Sequence, residues 1–158
     1  MNKIIYTLCF SFLLASCHLN KDKRIDKHSY SEPHHVVTTH LDLNVEVDFK
    51  NKVISGVASY QVDNKSGEKQ LILDGNGLEI EKVTSLGEEC YFRLGDQDSI
   101  LGQPLIIDIS SRAKEVSIHY KSAPNAKALQ WLQPNQTAGK EHPLLFTQSQ
   151  AILARTWL

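Results

Sequence analysis

Few side chains in this sequence are placed to do chemistry. His34, His35 and His40 stand close together and invite a metal. They lack helical spacing and a neighbouring carboxylate pair, so no metal site is assigned to them. Asp74, Asp96 and Asp98 lie in glycine-bearing loops. Their spacing has neither the order of an EF-hand nor its bidentate glutamate, so calcium is not expected there. Glu141-His142 has no second histidine one helical turn later, and Pro143 forbids the helix that would carry it. No H-E-x-x-H, phosphate-cradling glycine loop, G-x-S-x-G or C-x-x-C occurs in the 158 residues. Catalytic residues, metal ligands and a cofactor are therefore expected to be absent from this chain.

The bulk properties exclude other classes. A length of 158 residues fits one domain, and 41% apolar with 22% charged residues is ordinary for a globular body. The formal charge of -1 argues against nucleic acid as a partner, because a phosphate backbone demands a clear cationic excess. Of the three cysteines, Cys9 lies in the apolar leader, Cys17 follows it, and Cys90 stands alone in the body as a packing residue. No disulfide framework is possible with one body cysteine.

The chain divides into three parts. Residues 1–16 carry one early charge, Lys3, and then the apolar run Ile4 to Ala15. That run is too short to span a bilayer and fits the core of an export signal. Its end, Leu14-Ala15-Ser16-Cys17, resembles a bacterial lipobox, in which the leader is cut before the cysteine and the new terminus is acylated. An ordinary leader with an incidental cysteine is the alternative. On the lipobox reading Cys17 is the lipidation site, and the protein is an exported, membrane-anchored bacterial lipoprotein on the periplasmic or cell-surface side. Residues 17–35 are polar, with Lys21, Lys23, Arg24 and Lys27 interleaved with Asp22 and Asp26, and read as a flexible tether.

From residue 36 to 158 the period is two. Val37 to Phe49 alternates apolar with acidic or polar residues, and Lys50-Asn51-Lys52 turns it into a second strand with Ile54, Gly56, Ala58, Tyr60 and Val62 facing inward. Shorter strands are predicted at Leu71–Leu73, Leu78–Val83, Cys90–Leu94, Pro104–Ile109 and Glu115–Tyr120. No window carries a helical period, so the domain is expected to be all-β and antiparallel. The acidic outer faces read as solvated surface. The chain then runs into an amide-rich, proline-punctuated stretch and ends on the large apolar pair Trp157-Leu158, which reads as the front of something longer.

That last stretch carries a resemblance. Ala128-Leu-Gln-Trp-Leu132, Gln136-Thr-Ala-Gly-Lys-Glu-His-Pro143 and Phe146-Thr-Gln-Ser-Gln-Ala-Ile-Leu-Ala-Arg155 resemble, in order and spacing, the aminopeptidase N and leukotriene A-4 hydrolase family of zinc metallopeptidases. Residues 36–127 are similar in pattern to that family's N-terminal sheet domain, including Asp42-Leu43-Asn44-Val45 and Gly56.

The resemblance implies a saddle-like β-sandwich packed against a separate catalytic domain. Zinc is expected in that domain, bound by H-E-x-x-H and a distant glutamate, none of which this chain contains. The chain alone is therefore expected not to hydrolyse peptides. Its implied role is to line part of the substrate cleft of an aminopeptidase, with the peptide's free N-terminus and its own catalytic domain as partners. Gln150 matches the family position that holds the substrate's amino group. Gln148, two residues earlier, points the same way if the segment is an extended strand. Arg155 matches a family arginine and reads either as a functional group or as one half of an ion pair with the missing part; Trp131 reads as packing. The competing reading, from a different class, is a non-catalytic tethered β-domain that binds a peptide or a protein partner.

Overall fold

The alternating stretch after residue 36 becomes a long hairpin. In the computed structural model, which describes residues 26–158, β1 (Val36–Asp48) pairs antiparallel with β2 (Val53–Asn64), placing Val45 opposite Gly56 and Val47 opposite Ile54. The turn forms because the Asp48 carboxylate accepts the Lys50 and Asn51 N–H groups, both at 2.9 Å, and the Asn51 side-chain amide at 2.6 Å. These bonds, chiefly those from Asn51, hold the Asp48 carboxyl below its ordinary range.

Gly56 explains how β1 and β2 come so close. Its φ of 148° lies in a region that side chains avoid, and an added Cβ would collide with the Asn44 carbonyl oxygen.

Eight further strands follow: β3 (Gln70–Gly75), β4 (Glu79–Ser85), β5 (Glu88–Glu89), β6 (Phe92–Leu94), β7 (Gln103–Asp108), β8 (Glu115–Lys121), β9 (Leu129–Leu132) and β10 (Leu144–Thr147). They form a five-stranded sheet in the order β1-β2-β8-β4-β5, a three-stranded sheet β3-β7-β6, and the two-stranded hairpin β10-β9. Every pairing is antiparallel, so the domain is all-β as the alternation predicted. The sequence pattern did not separate out β5, β9 and β10. Two to four residues are too few to show a period, and these strands exist through their partners.

The main core joins the two larger sheets. Ala58, Val83, Val116, Ile118 and Tyr120 from one meet Leu71, Leu105 and Ile107 from the other, with Val83, Val116 and Ile107 almost fully enclosed. Burying each large aliphatic side chain contributes about 1.5–3 kcal/mol, which makes this layer the main driving force for folding. Cys90 packs half-buried at its margin, and burial pushes its thiol upward from its ordinary pKa. A second cluster gathers Ile54, Ala126 and Leu129 beneath Val45, Trp131, Leu145 and Trp157. Trp131 meets Phe49 edge to face at 5.6 Å between ring centres, so it packs as expected.

Two expectations need adjustment. β1 is an edge strand, and its apolar side overhangs the core enough to leave Leu43 and Val47 exposed. The leader (1–16), Cys17 and the first part of the predicted tether lie outside the described residues. The last part of that tether is docked on the body. Ser29 donates its hydroxyl to Asp74 at 2.7 Å, the Tyr30 N–H donates to the same carboxylate at 2.8 Å, and His35 pairs with Glu68 at 2.8 Å.

The core also predicts an alkaline limit. Burial pushes both Tyr60 and Tyr120 up to about 12 from an ordinary 10.0, and the Tyr120 hydroxyl is buried with no hydrogen-bond partner among the described residues. Because the folded values are raised, the contribution to stability is complete below about pH 10 and is lost as pH climbs through about 12. Absorbance at about 295 nm should show a late phenol ionisation that coincides with loss of the β circular-dichroism signal. Tyr120→Phe, which removes the unpaired hydroxyl, should not destabilise the chain at neutral pH and should shift that loss upward.

Candidate functional site

The segment that bears Gln148 and Gln150 grows out of the β9–β10 hairpin. Leu145 opposite Trp131 faces the second core cluster, while Leu144 and Phe146 on the alternate face remain exposed. The connection is satisfied locally. The Gln133 N–H donates to the Gln136 side-chain oxygen at 2.8 Å, and the Gln136 N–H returns to the Gln133 carbonyl at 2.9 Å. Thr137 donates its hydroxyl to the Pro134 carbonyl at 2.8 Å. The amides of Gln133 and Gln136 therefore build a turn rather than a surface for a ligand.

Beyond Thr147 the ladder gains one more bond, from the Gln148 N–H to the Ala128 carbonyl at 2.8 Å, and then stops. The expectation that Gln148 and Gln150 share one face of an extended strand is not met. Gln150 enters a turn, and its N–H donates back to the Gln148 side-chain oxygen at 3.1 Å. The strand ends here because the Leu153 N–H bonds the Ser149 carbonyl at 2.9 Å and closes a turn. The Gln150–Ala151 peptide is cis. The structure still keeps the two glutamines close in the chain and both exposed, and the Gln150 side chain makes no hydrogen bond among the described residues.

What fixes this loop was not apparent from sequence. The Trp157 indole N–H donates to the Ser149 hydroxyl at 3.1 Å, so the residue between the two glutamines is pinned from below. Thr156, buried in the Leu153–Thr156 3₁₀ turn, accepts the Ala128 N–H at 3.2 Å. Arg155 is 8% exposed and donates to the Leu101 carbonyl at 2.7 Å, the His28 carbonyl at 2.7 Å and the Asp74 carboxylate at 3.2 Å. Its own carbonyl accepts the Asn76 N–H at 2.7 Å.

Arg155 thus has an ion-pair partner, Asp74, inside this chain. No sequence signal points to Asp74, which stands 81 positions away.

The other titratable candidates go elsewhere. Asp98 accepts the Ile100 and Leu101 N–H groups, both at 2.7 Å. These bonds, Leu101 first, hold its carboxyl below the ordinary range and shape the loop that presents the Leu101 carbonyl to Arg155. Gly102 closes that loop at a φ of 80°, where a Cβ would collide with the Gly75 carbonyl. His40 lies 3.3 Å from Asp42, apart from the His35–Glu68 pair. Among the described residues no three His, Cys, Asp or Glu side chains converge to hold a metal ion. The residues present do not fit a zinc site, and no zinc-dependent step is assigned to them.

Removing one partner of a buried ion pair leaves the other stranded. Asp74→Ala should therefore lower the unfolding free energy by about 3 kcal/mol, read as a lower urea midpoint at unchanged slope.

Comparison with known proteins agrees with this architecture. The Peptidase M1 N-terminal domain family matches residues 37–158. Leucine aminopeptidase 2 of Yarrowia lipolytica is 35% identical over 134 residues, which cover 83% of this chain and 21% of that protein. Leukotriene A-4 hydrolase of Xenopus laevis is 37% identical over 137 residues, covering 83% of this chain and 22% of the relative. A structure of yeast leukotriene A-4 hydrolase in complex with bestatin superposes with a TM-score of 0.81 at 28% identity, over 88% of this chain and 23% of that one. The chain therefore spans about a fifth of the length of these relatives. With this match in sequence and in fold, the chain belongs to the Peptidase M1 N-terminal domain family.

Proposed function

We propose that this chain is the N-terminal domain of a zinc-dependent aminopeptidase that releases N-terminal residues from peptides, and that it contributes one wall of the substrate cleft. The observation that carries the reading is the match of residues 37–158 to the Peptidase M1 N-terminal domain family, and within it the exposed pair Gln148 and Gln150, on a loop whose middle residue is pinned by Trp157, is the candidate contact. An amide oxygen that accepts from a substrate's ammonium group makes a charge-assisted hydrogen bond, stronger than a neutral one. The role of these residues is to bind and orient the free N-terminus. Zinc, and the general base that works with it, belong to the catalytic domain that this reading takes as the partner. The exposed Phe146 adds an apolar surface on the strand that leads to Gln148.

A chimera tests the site. Residues 37–158 would replace the matching part of the Yarrowia leucine aminopeptidase 2, and leucine p-nitroanilide hydrolysis would be followed. Gln150→Ala should raise KM about tenfold, the loss of one hydrogen bond to a charged group, with little change in kcat. An unchanged KM in a chimera that is otherwise active would end the assignment of Gln150.

We further propose, from the lipobox resemblance of Leu14-Ala15-Ser16-Cys17, that an acylated Cys17 holds the protein on a membrane. Lys21, Lys23 and Arg24 follow that cysteine, and the apolar run before it has the length of an export signal. Cys17→Ala should move the protein from the membrane fraction to the soluble fraction of cells that process lipoproteins. Unaltered fractionation would remove the lipid anchor from the proposal.

A further inference from the structure

We propose that the segment His28–Tyr30 is a strap that positions the Gln148–Gln150 loop, acting through Asp74 and Arg155. The strap uses both oxygens of one carboxylate. Asp74 accepts the Tyr30 N–H on Oδ1 at 2.8 Å and the Ser29 hydroxyl on Oδ2 at 2.7 Å. Oδ2 also accepts from Arg155 at 3.2 Å, and the same guanidinium nitrogen donates to the His28 carbonyl at 2.7 Å. Strap, carboxylate and guanidinium therefore share one half-buried network, in which loss of any member takes hydrogen bonds from the others.

From Arg155 the path to the glutamines is short and made of fixed groups. Arg155 lies in the Leu153–Thr156 turn, whose Leu153 N–H bonds the Ser149 carbonyl at 2.9 Å. Trp157, just beyond the turn, holds the Ser149 hydroxyl at 3.1 Å. Ser149 sits between the two glutamines. Among the described residues no hydrogen bond links Ser29, Asp74 or Arg155 to the glutamine side chains, so these three are positioning residues. Three of the strap's bonds involve charged side chains, and the bond from Arg155 to His28 ends on backbone, so it depends on the presence of the segment and not on its side chain there. Cleavage of the chain ahead of Glu32 would take away the strap while leaving every strand intact, which makes trimming of the N-terminal segment a means of loosening the substrate loop.

The positioning role that this gives the loop rests on the aminopeptidase reading, and the test separates the two. Hydrogen exchange would be measured at the Leu153 amide and the Trp157 indole, with the Ile107 and Val116 amides as core references. The full chain, a chain lacking residues 1–30, and full-length Ser29→Ala would be compared. Both variants should exchange about tenfold faster at the two loop reporters with the core unchanged, the effect of losing one bond to a charged acceptor in the milder case.

In parallel, leucyl-glycyl-glycine would be titrated against the side-chain amide signals of Gln148 and Gln150, and its affinity should fall about tenfold in the variants. Unchanged exchange in both variants, or a uniform rise that includes the core in Ser29→Ala, overturns the strap. Should the shortened chain fail to fold, Ser29→Ala alone decides. Faster loop exchange with no tripeptide response even in the full chain keeps the strap and removes the substrate reading. Equal tripeptide binding by all three chains with unchanged exchange does the reverse.

Discussion

The guanidinium of Arg155 is the constraint on which the lower half of this domain depends. It is almost entirely withdrawn from water and must find acceptors for its fixed fork of donors. It finds them on three separate stretches of chain: the Leu101 carbonyl, the His28 carbonyl and the Asp74 carboxylate. Each acceptor is itself prepared. The Asp98 carboxylate shapes the loop that offers Leu101, and the end of β3 offers Asp74. A lysine would not reproduce this, because a single ammonium cannot reach acceptors spread across the plane of a guanidinium.

Around that point two packed bodies are joined. The layer between the five-stranded and three-stranded sheets accounts for most of the buried apolar surface. The β9–β10 hairpin has its own smaller cluster, reached through Ile54 of β2 and Val45 of β1. Trp157 belongs to the second cluster and Leu158 packs against the first, so adjacent residues tie the two together. The exposed glutamines sit above this seam.

Most of the sheet could be read from the chain, because β1, β2, β4 and β8 alternate over enough residues for a period to show, while β3, β6 and β7 are short apolar runs bounded by turn residues. Gly56 was legible only as an inward position; that β1 would press against it required the pairing with Val45. The glutamines are singled out by similarity of motif alone, and the placing of Gln150 in a turn instead of a strand follows from where the ladder to Ala128 runs out. The Asp74–Arg155 pair was beyond reach for a different reason. Neither residue's neighbours in sequence carry any trace of the other, and only the folded chain brings together positions 81 apart. The docking of Ser29 and Tyr30 was hidden in the same way, since a polar stretch rich in charge has the composition of a linker whether or not it finds a carboxylate to hold.

The first strand has one more consequence. β1 lies at the border of the large sheet with its outward N–H and C=O groups unpaired among the described residues, over a length that would welcome an extended segment of another molecule. Two features discourage that. The register slips between Thr38 and His40, which interrupts a regular ladder, and Asp42 and Glu46 stand exposed along the remainder. A second copy laid against this border would bring carboxylates against carboxylates. Like charges facing each other across such a border are unfavourable, so the exposed Asp42 and Glu46 work against edge-to-edge pairing of two copies.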